Sequence, residues 1–350
     1  MGKTAAEMGT GMDRDMDKDM DKDMEAFWRW LLSCPSLELC GVRALMRTYQ
    51  NPKALYRSGQ RFSFSCLPEP QRSGLIRWKR DVTVEENDRA LRAAGVRFVS
   101  RHHPAFPSRL RNLRDCPYGL FFRGDLPDQR AFSVAVAGSR ACSWYGTRMA
   151  RMISSTLSRE GIQIIGGMAP GIDAEAERMV LRFGGRSFAV LGCGLDICYP
   201  RENSLLFDKL PSVGGLLSEY PLRSLPYGQH FPRRNQLIAA LSDAVIIVEA
   251  GDRSASLLIA REALELGREV YAVPGRATDP ESKGCNRLIA DGAGVVLSAE
   301  NLLENLRLYQ GRRMLPGRED ATERQGTEDM TGFPRARESA AELARAGRYR

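Results

Sequence analysis

Histidine is scarce in this chain, with His102, His103 and His230 the three in 350 residues. None is spaced with a cysteine or a second histidine as zinc ligands are, so no metal centre is expected. The eight cysteines include no C-x-x-C pair. The chain also lacks a secretory hydrophobic segment, so the thiols read as those of a reduced, cytoplasmic protein. No run approaches the ~18 apolar residues that a membrane helix needs. The G-x-x-x-x-G-K-[ST] phosphate loop is missing, which removes that route to ATP hydrolysis. Gly192-x-Gly194-x-x-Ile197 lacks the third glycine of a dinucleotide fingerprint, and no serine sits in a G-x-S-x-G elbow. Neither a nicotinamide cofactor nor a serine hydrolase is expected.

What is present is a modest basic excess, unevenly laid out. Lys plus Arg is 51 against 43 Asp plus Glu, a net charge of +8. The first 25 residues carry four basic and eight acidic side chains, and residues 307–350 carry ten basic and seven acidic, so the body between them holds +9. Such a surplus suits a polyanionic partner, and it equally suits an ordinary solvated surface. Asp15 to Met24 reads DMDKDMDKDM. Its period of four gives no complete apolar face, so residues 1–25 are expected to form an acidic disordered arm.

Residues 26–100 carry a helical pattern, with Phe27, Trp28, Trp30, Leu31 and Leu32 opening it and Pro35 and Pro52 punctuating it. A small all-helical domain is expected there, with Leu39-x-Gly41-Val42 as a turn similar to those of helix-hairpin-helix or SAM-like modules. Over 103–308, strand-length apolar runs recur at 132–137, 162–166, 187–192, 215–219, 243–249, 269–274 and 294–298, and Tyr118–Phe122 adds one more. Helical patterns lie between them, as in Met149, Ile153 and Leu157. This alternation predicts an α/β fold, a Rossmann-like doubly wound, mostly parallel sheet preceded by the helical domain. The tail over 309–350 has too few apolar positions for a core and is expected to be mostly disordered.

Four strand ends carry ligand-type residues. Gly138-Ser139-Arg140 follows Val134–Ala137. Gly166-Gly167-Met168-Ala169-Pro170-Gly171-Ile172-Asp173 is a glycine-rich turn into a helix, whose free N–H groups suit an anion. Gly192–Asp196 leads to Tyr199-Pro200-Arg201, and Ser254 and Ser256 place hydroxyls at another helix start. Phe231-Pro232-Arg233-Arg234-Asn235 precedes a strand ending in Glu249. In an open α/β sheet, strand ends and helix starts face the ligand crevice. Two guanidinium forks and a ring there suit phosphates and nucleobases. Glu219 and Glu249 could be an acid–base pair. The preferred reading is structural, with each holding Arg140 or Arg234 in place. Asp173 and Asp196 read as turn and cap residues, and His230 as incidental.

Taken together, VAVAGSR, GGMAPGIDAEA, AVLGCGLDICYP, GLLSEYP, HFPRRNQLIAALSDAVIIVEA, SASLLIA, GREVYAVPG and GCNRLIADGA resemble, in order, the motifs of the DNA-processing protein A family (DprA, also called Smf). The resemblance covers about residues 104–297. It implies sequence-independent binding of single-stranded DNA, homodimers, and loading of a RecA-type recombinase while single-strand-binding protein is displaced, all in natural transformation. It implies no cofactor, no catalysis and no membrane. Arg140 matches the family's pocket arginine, and Phe231 to Asn235 its F-P-x-R-N run. The expected DNA-binding residues are Gly138, Ser139, Arg140, Gly167, Gly171, Arg201, Phe231, Arg233, Arg234, Asn235, Ser254 and Ser256. Four positions depart from the family pattern. Pro170 stands where an arginine is usual, Glu177 where a histidine is common, Ala255 in place of glycine, and Gln236 in place of arginine. Many relatives end in a winged-helix domain, for which this tail is too short and polar. The family of phosphoribohydrolases with a related fold carries P-G-G-x-G-T-x-x-E, which is absent here, so nucleotide cleavage is the less favoured alternative.

Overall fold

A computed structural model describes residues 24–58 and 64–314. Most of the expected acidic arm and of the expected tail lies outside the described residues. The chain opens with helix α1 (24–32), α2 (Leu39–Tyr49), α3 (Pro52–Arg57), α4 (Glu69–Asp81) and α5 (Val84–Ala93). Local chemistry sets several of these starts. The Asn51 side chain accepts the Ala54 N–H ahead of Pro52, and Thr83 with Glu86 forms a reciprocal capping box. Leu39–Val42 lies inside the first turn of α2, not in a turn between helices. Gly41 is small there because Gln71 packs against it. The indole N–H of Trp30 donates to Val82 O (2.8 Å) and that of Trp78 to Trp30 O (3.1 Å), pinning α1 to α4.

The chain then forms β1 (Arg97–Ser100), α6 (Ser108–Arg111), β2 (Gly119–Gly124), β3 (Ser133–Ala137), α7 (Trp144–Arg159), β4 (Gln163–Gly166), α8 (Ile172–Phe183), β5 (Ser187–Leu191), α9 (Ser204–Val213) and β6 (Gly214–Ser218). It continues through α10 (His230–Leu241), β7 (Ala244–Ile247), α11 (Ser256–Glu265), β8 (Glu269–Ala272), α12 (Lys283–Ala290), β9 (Gly294–Val295) and α13 (Ala299–Met314). The sheet order is β1-β2-β6-β5-β4-β3-β7-β8-β9. Pairing is parallel from β6 to β9, and β1 and β2 form an antiparallel edge. This is the expected Rossmann-like doubly wound sheet, preceded by helices. Two boundaries differ from expectation. Arg97–Ser100, read as the end of the helical segment, is a sheet strand, and α13 runs past Leu308 to Met314.

Strand residues alternate between faces, as a pleat requires. Val134, Val136 and Ile164 pack under α7, α8 and α13, whereas Ala135, Ala137 and Ile165 pack under α10, α11 and α12. The initial helices share a third apolar cluster with α9, Phe121, Ala189 and Leu191 at the antiparallel end. The winding reverses at β3, which has β4 on one side and β7 on the other. Its C-terminal end is therefore the topological switch point, where open α/β sheets form their crevice. Among the described residues no helix is long and apolar enough to cross a membrane, and no group of three or more His, Cys, Asp or Glu could hold a metal ion.

Candidate functional site

A small cavity of about 50 Å³ opens at this rim. It is lined by Arg140 after β3, Gly167, Ala169 and Pro170 after β4, Leu191 to Cys193 after β5, Tyr199 and Pro200, and Phe231 and Arg234 on α10. The first turn of α10 begins at His230, whose Nδ1–H donates to Gly192 O (2.9 Å) while its ring stacks on Tyr220 at 3.8 Å. These contacts seat Phe231 over the pocket. The guanidinium of Arg234 lies 5.6 Å and that of Arg140 5.9 Å from the Phe231 ring centroid, and Tyr199 approaches the same ring at 5.8 Å. Arg140 is exposed, whereas Arg234 is 5% exposed. Two cations and two rings thus border one opening, with one cation buried in its wall.

Arg234 is held at the pocket without a close partner. Its Nη1 is 4.0 Å from Asp173 Oδ2, beyond hydrogen-bonding range, and its buried Nε has no hydrogen-bond acceptor. Burial pushes its pKa below the ordinary guanidinium value, Asp173 and Glu177 oppose that shift, and Arg140 adds to it. Gly167 is required here because a Cβ would collide with the Arg234 guanidinium. Gly171, at φ +77°, lets α8 start against the β3–α7 loop, where a side chain would meet the carbonyls of Ser139 and Arg140.

The glycine-rich turn does not present the bare amides that its sequence suggests. Asp173 is buried on α8, and the N–H groups of Gly138 and Gly167 face its carboxylate. Burial pushes the Asp173 carboxyl up to about 6, against the pull of Arg234 and of those two amides. Glu177, one turn further along α8, accepts the Met168 N–H through Oε1 (3.1 Å), and its Oε2 has no partner. Burial, together with the neighbouring Asp173, pushes Glu177 up to about 8. Met168 sits at φ 53°, unusual for a non-glycine residue. Asn203 donates to its carbonyl (2.9 Å) and Glu177 accepts from its N–H, so the turn is fixed from both sides.

Between its ordinary value of 4.5 and about 8, Glu177 keeps a proton in the folded chain that the unfolded chain has lost. Folding stability therefore falls as pH rises through that window. Glu177→Gln keeps the Met168 contact without the charge. It is expected to melt above the wild-type protein at pH 8, with the difference closing towards pH 5. A pH-independent shift in melting temperature would contradict this assignment.

The other expected site residues separate into groups. Arg233 turns away from the pocket. Its Nε and Nη2 donate to Glu219 (2.6 and 2.8 Å), Nη1 to Gln236 (2.6 Å) and Nη2 also to Asp115 O (2.6 Å). Residues adjacent on a helix point about 100° apart, so one of the two arginines had to leave the rim. Glu249, expected beside Arg140 or Arg234, instead accepts the Ser143 N–H (2.8 Å) and Ser143 Oγ–H at the start of α7. Both glutamates are thus structural, with partners other than those expected. Gly138 is packed against Ile172 and the Glu249 carbonyl, and Ser139 is buried. Asn235 Nδ2 donates to Ala255 O (3.3 Å), joining α10 to the start of α11, where Ser254 and Ser256 hydrogen-bond each other (2.8 Å). Arg201 is exposed next to the lining residues Tyr199 and Pro200. The structure therefore brings Arg140, Gly167, Phe231 and Arg234 together at the cavity, with Gly138, Ser139, Gly171 and Asn235 as framework. The roles of Tyr199, His230 and Glu177 go beyond the sequence reading.

A doubly wound sheet whose crevice sets two guanidiniums around an aromatic ring is a Rossmann-like arrangement. Residues 97–307 match the DNA recombination-mediator protein A family, and the chain belongs to that family. The resemblance seen in the sequence motifs is thereby confirmed. The chain is 45% identical over 212 residues to protein Smf of Escherichia coli (strain K12), a match covering 60% of this chain and 56% of that protein. It therefore spans little more than half of that relative. The X-ray structure of DNA processing protein A from Streptococcus pneumoniae superposes with a TM-score of 0.64 at 31% identity, over 78% of this chain and 95% of that one. The structure of DNA processing protein A from Helicobacter pylori, solved for its single-stranded DNA binding mode, gives 0.55 at 28% identity over 61% and 96%.

Proposed function

We propose that this chain binds single-stranded DNA without sequence preference at the Arg140–Phe231–Arg234 pocket, and that it serves to load a RecA-type recombinase onto incoming strands in the cytoplasm. The observation that carries the binding step is Arg234, a buried cation at the pocket wall whose nearest carboxylate is 4.0 Å away. A guanidinium so placed has donors to spare for phosphate oxygens. Arg140 adds a second, solvated cation, and Phe231 offers a face on which any base can stack. None of these groups reads base edges, so the binding is indifferent to sequence. The Helicobacter pylori relative, with its single-stranded DNA binding mode, supports the same ligand. The family's description as recombination mediators supports the recombinase step. A homodimer would place two pockets on one strand and raise avidity.

No catalytic step is assigned. The two carboxylates nearest the pocket lie beneath it, with Asp173 facing the N–H groups of Gly138 and Gly167 and Glu177 accepting the Met168 N–H.

Fluorescence anisotropy with oligo-dT and with duplex DNA at two ionic strengths tests the binding step. Single strands should bind more tightly, with log K falling against log salt by about 0.7 per phosphate contact. Arg140→Ala should weaken binding to unrelated sequences alike, by roughly tenfold. Unchanged affinity of that variant at low salt would remove the pocket from the reading. Recombinase loading on strands coated with single-strand-binding protein is scored separately. Failure there with binding intact would remove only the mediator step.

A further inference from the structure

One aromatic side chain on the same rim is left largely exposed. Trp144, the first residue of α7, is 74% exposed. The other three tryptophans, Trp28, Trp30 and Trp78, lie in the initial helices and are buried or half-buried. The turn that carries Trp144 is nevertheless firmly held. Ser143 caps it by accepting the Gly146 N–H (3.1 Å) and is itself bound by Glu249. Tyr145 Oη–H donates to Pro274 O (3.0 Å), which ties the turn to the loop after β8, where Arg276 is exposed. Arg148, one helical turn on, is also exposed and sets its guanidinium 5.3 Å from the Trp144 ring centroid. One face of the indole is thus opposed by a cation, and most of the side chain is open to solvent. Arg140 precedes Trp144 by four residues, a separation of at most ~14 Å even if the loop were fully extended.

A firmly held, exposed ring with an arginine over one face, near a pocket with the same two chemistries, is the arrangement that single-strand-binding surfaces repeat along a strand. We propose that Trp144 and Arg148 form a second stacking subsite for the strand that occupies the Arg140–Arg234 pocket. The strand leaves the pocket past Arg140, the next accessible base stacks on the indole, Arg148 takes a phosphate, and Arg276 extends the basic edge. This rests on the reading of the pocket as a single-stranded DNA site and adds a direction for the strand and a longer footprint.

The test uses the full chain with oligo-dT of graded length. Trp144 is the sole tryptophan outside the initial helices, so its fluorescence reports the subsite directly. Long oligomers should quench the emission that Trp144→Phe removes, and oligomers too short to pass Arg140 should not. Trp144→Ala should bind long oligomers about tenfold more weakly, with the loss vanishing as the oligomer shortens. Arg148→Gln should lower the salt slope for long oligomers by about 0.7. If Trp144→Ala binds long oligomers as tightly as wild type and they leave Trp144 emission unchanged, the subsite is wrong. Arg140→Ala would still report on the pocket in that case. Quenching of Trp144 by a protein partner, with none by DNA, would likewise overturn the subsite. If wild type binds oligomers of neither length, the pocket reading fails and takes the subsite with it.

Discussion

Arg234→Ala is expected to reduce affinity for single-stranded DNA by roughly a hundredfold or more, a larger loss than any other single substitution at the pocket, because a desolvated charge contact to phosphate is lost. It should also destabilise the fold. Asp173 and Glu177 lie one turn apart on α8, and Arg234 is the buried cation that faces both. Removing it leaves Asp173 buried with backbone amides and the exposed Arg140 as its remaining favourable neighbours, at a cost of about 3 kcal/mol where the carboxylate is charged. The pH dependence gives this effect its signature. Without the cation, the folded pKa of Asp173 rises further above its ordinary value of 3.8. The folded state then holds protons that the unfolded chain has released, so stability falls as pH rises. The variant should melt close to wild type at pH 5 and well below it at pH 8. The double variant Arg234→Met, Asp173→Asn separates folding from binding. It should recover the melting temperature at pH 8 and still fail to bind. Recovery of binding together with stability would show that Arg234 acts only as a counterion.

The sheet was the most legible part of the sequence because its strands are buried on both faces. Val134–Ala137 and Ala244–Val248 are unbroken apolar runs of strand length, and the glycine- or hydroxyl-rich turns between elements mark their ends. The short edge strand β1 was hidden. Only Phe98 and Val99 supply its apolar signal, directly after the helix that Gly95 ends at φ 65°, and its pairing with β2 is a long-range event with no local mark. Helix α13 was cut short at Leu308 because its apolar stripe, Leu302, Leu303 and Leu306 beneath α7, ends before the helix does.

At the site, the motif fixed which residues gather but not which way each points. The glycine-rich turn promised free donors, and composition cannot tell whether an adjacent acid faces solvent or takes those donors itself. Asp173 does the latter. A signal for Glu177 was available: it lies four residues after Asp173, on a helix whose neighbouring positions Ile172, Ala176 and Val180 are apolar, so a buried position was predictable even though a carboxylate was an unusual occupant.

Arg233→Ala should part from Arg234→Ala at the binding step, losing stability with little loss of binding by the folded protein. Burial tends to lower the Arg233 pKa, but its hydrogen bonds to Glu219 and the charge of that carboxylate outweigh it and hold the value above normal, which marks a strongly engaged pair. The Arg233 side chain is 17% exposed and Glu219 12%. Truncation leaves Glu219 and the Asp115 carbonyl without their shared donor, and a loss of about 3 kcal/mol is expected, the low end for a buried pair because some water reaches both groups. Glu219→Gln should lose less, since its amide oxygen can still accept from the guanidinium. In the double variant Arg233→Met, Glu219→Leu, much of the loss should return, because well-packed apolar residues can replace a buried ion pair. Chemical denaturation of the four proteins closes that cycle, and oligo-dT titration of each in native buffer completes the comparison. A hundredfold binding loss in Arg233→Ala at full folding would place this side chain on the DNA after all. It would then have to break three contacts to Glu219 and Gln236 when the strand arrives, a rearrangement that the Glu219→Gln variant should ease and so bind more tightly than wild type.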